Sequence, residues 1–121
     1  MQLSLDNNQG VFVRSYTNGE LRVNNDVLTG SVILTLQDIF PDWAPPPIAE
    51  ISIADFSAAL DSAPEVILFG TGTSQEFPPT SLMTEIMRTG VGFEVMDTAA
   101  ACRTFNVLGA EGRRVAAALI L

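Results

Sequence analysis

The sequence predicts an α/β fold: a mixed β-sheet carrying helices, preceded by an antiparallel meander of short strands. Three observations predict it. Alternating strands flank an Asn-Gly turn near the N-terminus. A proline-rich stretch at 41–47 then interrupts regular structure. Beyond residue 50, strand-length apolar runs alternate with helical periods.

The meander begins with Val11–Tyr16 and Glu20–Val23, which flank Thr17-Asn18-Gly19. Asn24-Asn25-Asp26 is a second turn, leading to Val27-Leu28 and, past Thr29-Gly30, to the strand Ser31–Thr35. Pro41-Asp42-Trp43-Ala44-Pro45-Pro46-Pro47 reads as an extended connection across the surface. Trp43 either pins it to the core or stands exposed as a partner contact. Ile51-Ser52-Ile53 is a short extended piece. Asp55 suits the N-cap of a helix at 56–62, with Phe56, Ala59 and Leu60 on one face and Pro64 as its stop.

Val66–Phe69 is continuously apolar, as expected of a strand covered on both faces. Pro78-Pro79 opens a helix at 80–89 striped by Leu82, Met83, Ile86 and Met87, and Gly90 ends it. Next come a strand at 92–96, a helix from Asp97 to Asn106, a Gly109–Gly112 turn and a strand at 114–120. The β-α-β spacing makes 66–69 and 92–96 neighbouring parallel strands; the direction of the last strand stays open. Its alanines imply that something packs closely on it, most simply a helix.

At 121 residues the chain reads as a single domain, 1–121, with 47% hydrophobic and 17% charged residues. The net charge is −8 and all six basic residues are arginine, a balance that repels nucleic acid and anionic lipid. No apolar run is long enough to span a bilayer as a helix. The N-terminus carries Asp6 and no basic segment ahead of an apolar core, which argues against a secretory signal or organelle presequence. A single cysteine, Cys102, excludes an internal disulfide and fits a reducing, cytoplasmic setting. With no histidine and one cysteine, zinc and most transition-metal sites lack their usual ligands, and histidine general-base chemistry is excluded. No cofactor, metal ligand or catalytic residue is expected.

Two strand ends carry the polar residues worth weighing. Gly70-Thr71-Gly72-Thr73-Ser74 follows the buried strand; small residues there let backbone N–H groups face an anion. The bland alternative is a tight turn against a neighbouring loop. There is no dinucleotide fingerprint and no Walker lysine. Met96-Asp97-Thr98 enters a helix. Asp97 suits an N-cap; as a general base it needs a polar partner, for which Glu76, Thr98 or Arg103 are the candidates. Glu94, in mid-strand, requires an arginine (Arg88, Arg103 or Arg114) if the strand is central and is simply solvated at an edge. Cys102 reads as a small buried hydrophobe, or as a thiol activated by Arg103 if it faces the surface.

Taken together, Val66–Gly72, Gly90–Thr98, Ala101–Leu108 and Glu111–Leu119 resemble a family of small uncharacterised proteins. That family contains the mitochondrial respiratory complex I assembly factor 3 and many bacterial and archaeal proteins of unknown function. The resemblance rests on the apolar strand into Gly-Thr-Gly, then Gly-Val-Gly-Phe-Glu-Val-Met-Asp-Thr, Ala-Cys-Arg-Thr-Phe-Asn-Val-Leu and Glu-Gly-Arg-Arg-Val-Ala-Ala-Ala-Leu-Ile. It covers roughly the last half of the chain. It implies a three-layer β+α/β/α fold around a mixed sheet. It also implies a non-enzymatic assembly role, exerted on partner proteins near a membrane. In some bacteria the family's genes lie near those of the protein-export translocase, again a membrane-proximal setting. Without a presequence, this chain looks like a free-living bacterial version. Gly70, Thr71, Gly72, Glu94, Asp97, Thr98, Cys102 and Asn106 carry the family pattern, and the resemblance gives none of them a catalytic role.

Two functions follow as expectations. One is a protein-interaction or assembly module, peripheral to a membrane complex and bound to its subunits or assembly factors. The other is a small-anion-binding protein or weak enzyme using a cleft between Gly70–Ser74 and Met96–Thr98, with Glu94 and Arg103 beside it. Homo-oligomerisation through the meander edges or Trp43 is compatible with both.

Overall fold

The computed structural model describes residues 10–17 and 19–121; Asp6 and the turn residue Asn18 lie outside the described residues. Strands β1 (Val13–Thr17), β2 (Glu20–Val23) and β3 (Asp26–Leu28) form a small antiparallel sheet in the order β1-β2-β3. Its inward side chains are Val13, Leu21 and Val23. Asn24, at φ +52, turns the chain between β2 and β3.

The expected meander ends there. The strand at 31–35 leaves it: β4 (Val32–Leu34) lies in the second sheet, antiparallel to the last strand. The cause is its composition. Val32, Ile33 and Leu34 are consecutive and all buried, which only a strand covered on both faces can satisfy. A two-residue strand not anticipated from sequence, β5 (Ile39–Phe40), pairs with its outer side.

The connection at 41–47 is extended, and Trp43 pins it. Its indole N–H donates to the Asp55 carbonyl at 2.7 Å, and the ring packs on Phe56 and Phe69. Ile51 and Ser52 are extended, as expected, but Ile53 is not: the two residues separate 3-10 turns at Ile48–Glu50 and Ile53–Phe56. Asp55 caps from inside the turn and not as N-cap. Its carboxylate accepts from the Ser52 N–H at 2.8 Å, and the Asp55 N–H donates to the Ser52 carbonyl at 3.0 Å. Helix α1 (Ser57–Leu60) follows and is shorter than expected.

The larger sheet adds β6 (Val66–Thr71), β7 (Gly92–Met96) and β8 (Val115–Ile120), in the order β5-β4-β8-β6-β7. It is mixed: β6 runs parallel to both β7 and β8, and β8 is antiparallel to β4. The chain crosses from β6 to β7 through α2 (Thr80–Met87), and from β7 back over β6 to β8 through α3 (Thr98–Ala110). These crossings run in opposite directions, so a shared hand puts their helices on opposite faces. Leu82 and Ile86 of α2 pack with Phe93, Val95 and Phe56 on one side. Ala101, Cys102 and Phe105 of α3 pack with Leu68, Ala117 and Leu119 on the other, beside the small sheet. The result is a three-layer β+α/β/α arrangement.

The alanines of β8 explain its central place. Ala116 and Ala118 face the α1–α2 layer and Ala117 faces α3, so both layers approach closely. On α2 the buried stripe is narrower than expected, since Met87 is exposed. Helix α3 runs past Asn106, and Gly109 sits inside it against Leu36. Gly112, at φ +79, is the actual stop. The Arg113 N–H donates to the Leu108 carbonyl and the Gly112 N–H to that of Gly109, the pairing that satisfies a helix's last carbonyls. Asn106 fastens the small sheet to α3: its amide accepts from the Val13 N–H at 2.9 Å and donates to the Val13 carbonyl at 2.7 Å, imitating a neighbouring strand.

Candidate functional site

The C-terminal ends of β6 and β7 are adjacent, with Gly70 opposite Met96. The two tips therefore share one end of the sheet, as the sequence suggests. What joins them is a set of internal bonds. The Thr98 hydroxyl accepts from the Gly72 N–H at 2.8 Å and donates to the carbonyl of Ile120. The Thr98 N–H donates to the Gly72 carbonyl at 2.9 Å. One buried threonine thus ties three strand ends together.

Thr71, also buried, does similar work within the loop. Its hydroxyl lies 2.7 Å from the Ser74 carbonyl and 3.3 Å from that of Met96, and accepts from the Glu76 N–H at 3.0 Å. Asp97 is the N-cap of α3, its carboxylate accepting from the Ala100 N–H at 2.8 Å. That relieves an orphan donor of the first turn. The Gly72 amide and the Asp97 carboxylate, the groups an anion site or a general base would draw on, are engaged by the fold itself.

Gly70 is forced by proximity: a Cβ there would stand 2.9 Å from Leu119 Cδ2 and 3.0 Å from both Thr98 Cα and Oγ1. Gly72 is forced by conformation, at φ +98. Thr73 and Ser74 are exposed at the loop's tip. Glu94 is exposed on β7, the edge strand, so its solvated reading holds. Arg103 is exposed on α3. The structure does not bring the two into an ion pair: among the described residues the pairs are Arg22–Glu20 and those of Arg113 and Arg114 with Glu65. Cys102 is buried, and desolvation pushes its thiol up to about 12, with Arg103 opposing weakly. An inert packing role follows. Among the described residues no cluster of three or more His, Cys, Asp or Glu could hold a metal.

Two residues escaped the sequence reading. The Gly92 N–H donates to the Glu65 carbonyl. By the alternation of a parallel ladder, 92, 94 and 96 then face β6, while 93 and 95 point to the open edge. There the Gln75 amide donates to the Val95 carbonyl at 2.8 Å, covering part of that edge. Two positions on, Phe77 stands exposed before Pro78-Pro79. An aromatic set among polar residues ahead of two prolines was the available signal.

The threonine latch gives a direct prediction. Thr98→Val keeps the shape but leaves the Gly72 N–H and the Ile120 carbonyl without this partner. A loss of about 1–3 kcal/mol in urea unfolding is expected. Thr98→Ser, which retains the hydroxyl, restores most of it. Equal midpoints for Val and Ser would show that the latch carries no stability.

A family model described as a protein of unknown function (DUF498/DUF598) matches residues 13–120. The 13 kDa major membrane protein of Francisella tularensis is 30% identical over 116 residues, covering 91% of this chain and 90% of that protein. The NADH dehydrogenase (ubiquinone) 1 alpha subcomplex assembly factor 3 of Danio rerio is 32% identical over 113 residues, covering 92% of this chain. This chain spans 64% of that assembly factor's length. A crystal structure of a Bordetella parapertussis protein matches with a TM-score of 0.84 and 36% identity, covering 93% of this chain and 97% of that one.

Proposed function

The chain belongs to the DUF498/DUF598 family, and from that premise we propose that it is a protein-binding assembly module and not an enzyme. One observation carries the reading. The polar atoms gathered at the strand tips bond to one another, through Thr98, Thr71 and Asp97, and hold the fold instead of awaiting a substrate. The similarity to an assembly factor of NADH dehydrogenase supports the role proposed, binding subunits or assembly intermediates of a membrane complex. On this reading the chain is one domain that acts in the cytoplasm and peripherally. No helix among the described residues is long and apolar enough to cross a membrane, and one relative is named a membrane protein. Gly70–Ser74, Asp97 and Thr98 are assigned to holding the interacting surface in shape, with Glu94 and Arg103 as solvated neighbours.

Affinity capture tests this. The tagged chain, expressed in the organism that encodes it, is recovered from detergent-solubilised membranes and its partners are identified by mass spectrometry. Enrichment of subunits or assembly factors of a respiratory complex is the expected result. Recovery of the chain with none of them overturns the assignment.

A further inference from the structure

Phe77 is the most exposed of the large apolar side chains among the described residues, at 65%. A single exposed apolar residue is ordinary by itself; the way this one is held is less so. Ahead of it, the Glu76 N–H bonds to Thr71 Oγ1 and the Gln75 amide to the Val95 carbonyl. Behind it, Pro78 is buried and Pro79 occupies the N-cap position of α2. A proline at 78 also confines the Phe77 backbone to extended geometry. The ring is therefore offered to solvent from a backbone that is already ordered, which lowers the entropic cost of docking it.

The layer that carries it is predominantly acidic. Between Arg22 and Arg88 the chain has no basic residue. That stretch builds the layer of α1 and α2, β6 and the Phe77 loop, and it exposes Asp42, Glu50, Asp61, Glu76 and Glu85. Five of the six arginines lie elsewhere: Arg14 and Arg22 on the small sheet, Arg103 on α3, Arg113 and Arg114 against Glu65; the sixth, Arg88, stands at the C-terminal end of α2, the end away from Phe77. An apolar ring next to Glu76, on a layer whose exposed charges are acidic apart from Arg88, is complementary to an apolar pocket with a basic rim.

We infer that Phe77 is the anchor by which this face docks onto a partner protein, and that the partner offers an apolar pocket ringed by Arg or Lys. The inference rests on the protein-binding reading above and adds the contact residue and the partner's chemistry. Anionic lipid and nucleic acid are repelled by the same surface.

The membrane capture described above, run with variants at position 77, tests it. Phe77→Ala is expected to lower recovery of the respiratory-complex subunits by at least about tenfold, while Phe77→Trp retains most of it. Raising the salt from about 0.05 M to about 0.5 M is expected to weaken capture by the unmodified chain, because the basic rim is screened. A photoreactive benzoyl-phenylalanine at position 77 should crosslink to the captured subunit, which guards against a folding defect in the alanine variant. Equal recovery with Phe77→Ala, or crosslinks from position 27 on the small sheet but none from 77, overturns the anchor and leaves the protein-binding reading standing. Salt-insensitive capture overturns the basic pocket. If the unmodified chain recovers no respiratory subunit, the assembly reading fails and takes this inference with it.

Discussion

Truncation of Phe56 to alanine is expected to remove about 3–5 kcal/mol of folding stability, measured by urea unfolding. Phe56 is fully buried in the α1–α2 layer. It meets Phe69 edge-on at 5.3 Å and Phe93 edge-on at 5.4 Å, with Trp43 tilted at 5.8 Å. The cost sums the lost transfer of the ring from water, the lost aromatic contacts and the void left between neighbours that cannot fully collapse. A domain of this size holds about 5–15 kcal/mol in all, so the variant sits near the edge of folding. The single tryptophan reports it: Trp43 loses a wall of its pocket, and its emission should shift toward the solvent-exposed value even where the fold survives. Phe56→Leu fills most of the volume and should cost roughly half as much. A midpoint unchanged by Phe56→Ala would mean that the aromatic cluster does not hold this layer to the sheet.

The second large effect lies at Gly70. Gly70→Ala is expected to cost about 1–3 kcal/mol, and Gly70→Val more, because overpacking displaces its surroundings. Leu119 Cδ2, at 2.9 Å from the position of the new Cβ, is the end of a side chain and can rotate away. Thr98 Cα, at 3.0 Å, is backbone, and moving it shifts the first turn of α3 and the Thr98 latch with it. The penalty should therefore appear as a loss of α3 docking, read as faster amide exchange in the first turn of α3. Gly72→Ala offers a comparison: no atom crowds it, and its cost comes from φ +98 alone, about 1–2 kcal/mol. If Gly70→Ala proves milder than Gly72→Ala, close approach is not what demands the glycine at 70.

The α/β class, the Asn24 turn and the helices α2 and α3 were legible because each depends on a local period or a local stop signal, whereas the parallel direction of β8 was left open. Leu82 and Ile86 fall a helical turn apart, and Val66–Phe69 is too uniformly apolar for a surface strand. Helix ends were less legible. Gly109 looked like a terminator, but a glycine is also what a helix needs where Leu36 presses on it. Likewise Ser52-Ile53-Ala54-Asp55 reads forwards as a cap at Asp55, whereas the pair Ser52 and Asp55 closes a capping box one turn earlier.

At the candidate site, the sequence placed Gly70–Ser74 and Met96–Thr98 on neighbouring strand tips, and the β6–β7 pairing agrees. It had no means of showing that the two tips would spend their polar groups on each other. Gly72 and Thr98 are 26 positions apart, and whether a hydroxyl meets an amide across that separation is a matter of tenths of an ångström. Phe77 fell outside the reading because a phenylalanine in a loop carries no period.

By itself, the order of apolar and polar residues determined the element types and the buried strands, since these follow from interactions along a few neighbouring residues. Only the tertiary structure decided that Val32–Leu34 joins the larger sheet, that β8 inserts between β4 and β6, that Glu94 lies at an edge and that Phe77 is left uncovered. Each of those outcomes depends on which distant segments pack together. Burial is a property of the assembled layers and cannot be assigned to any one segment in isolation.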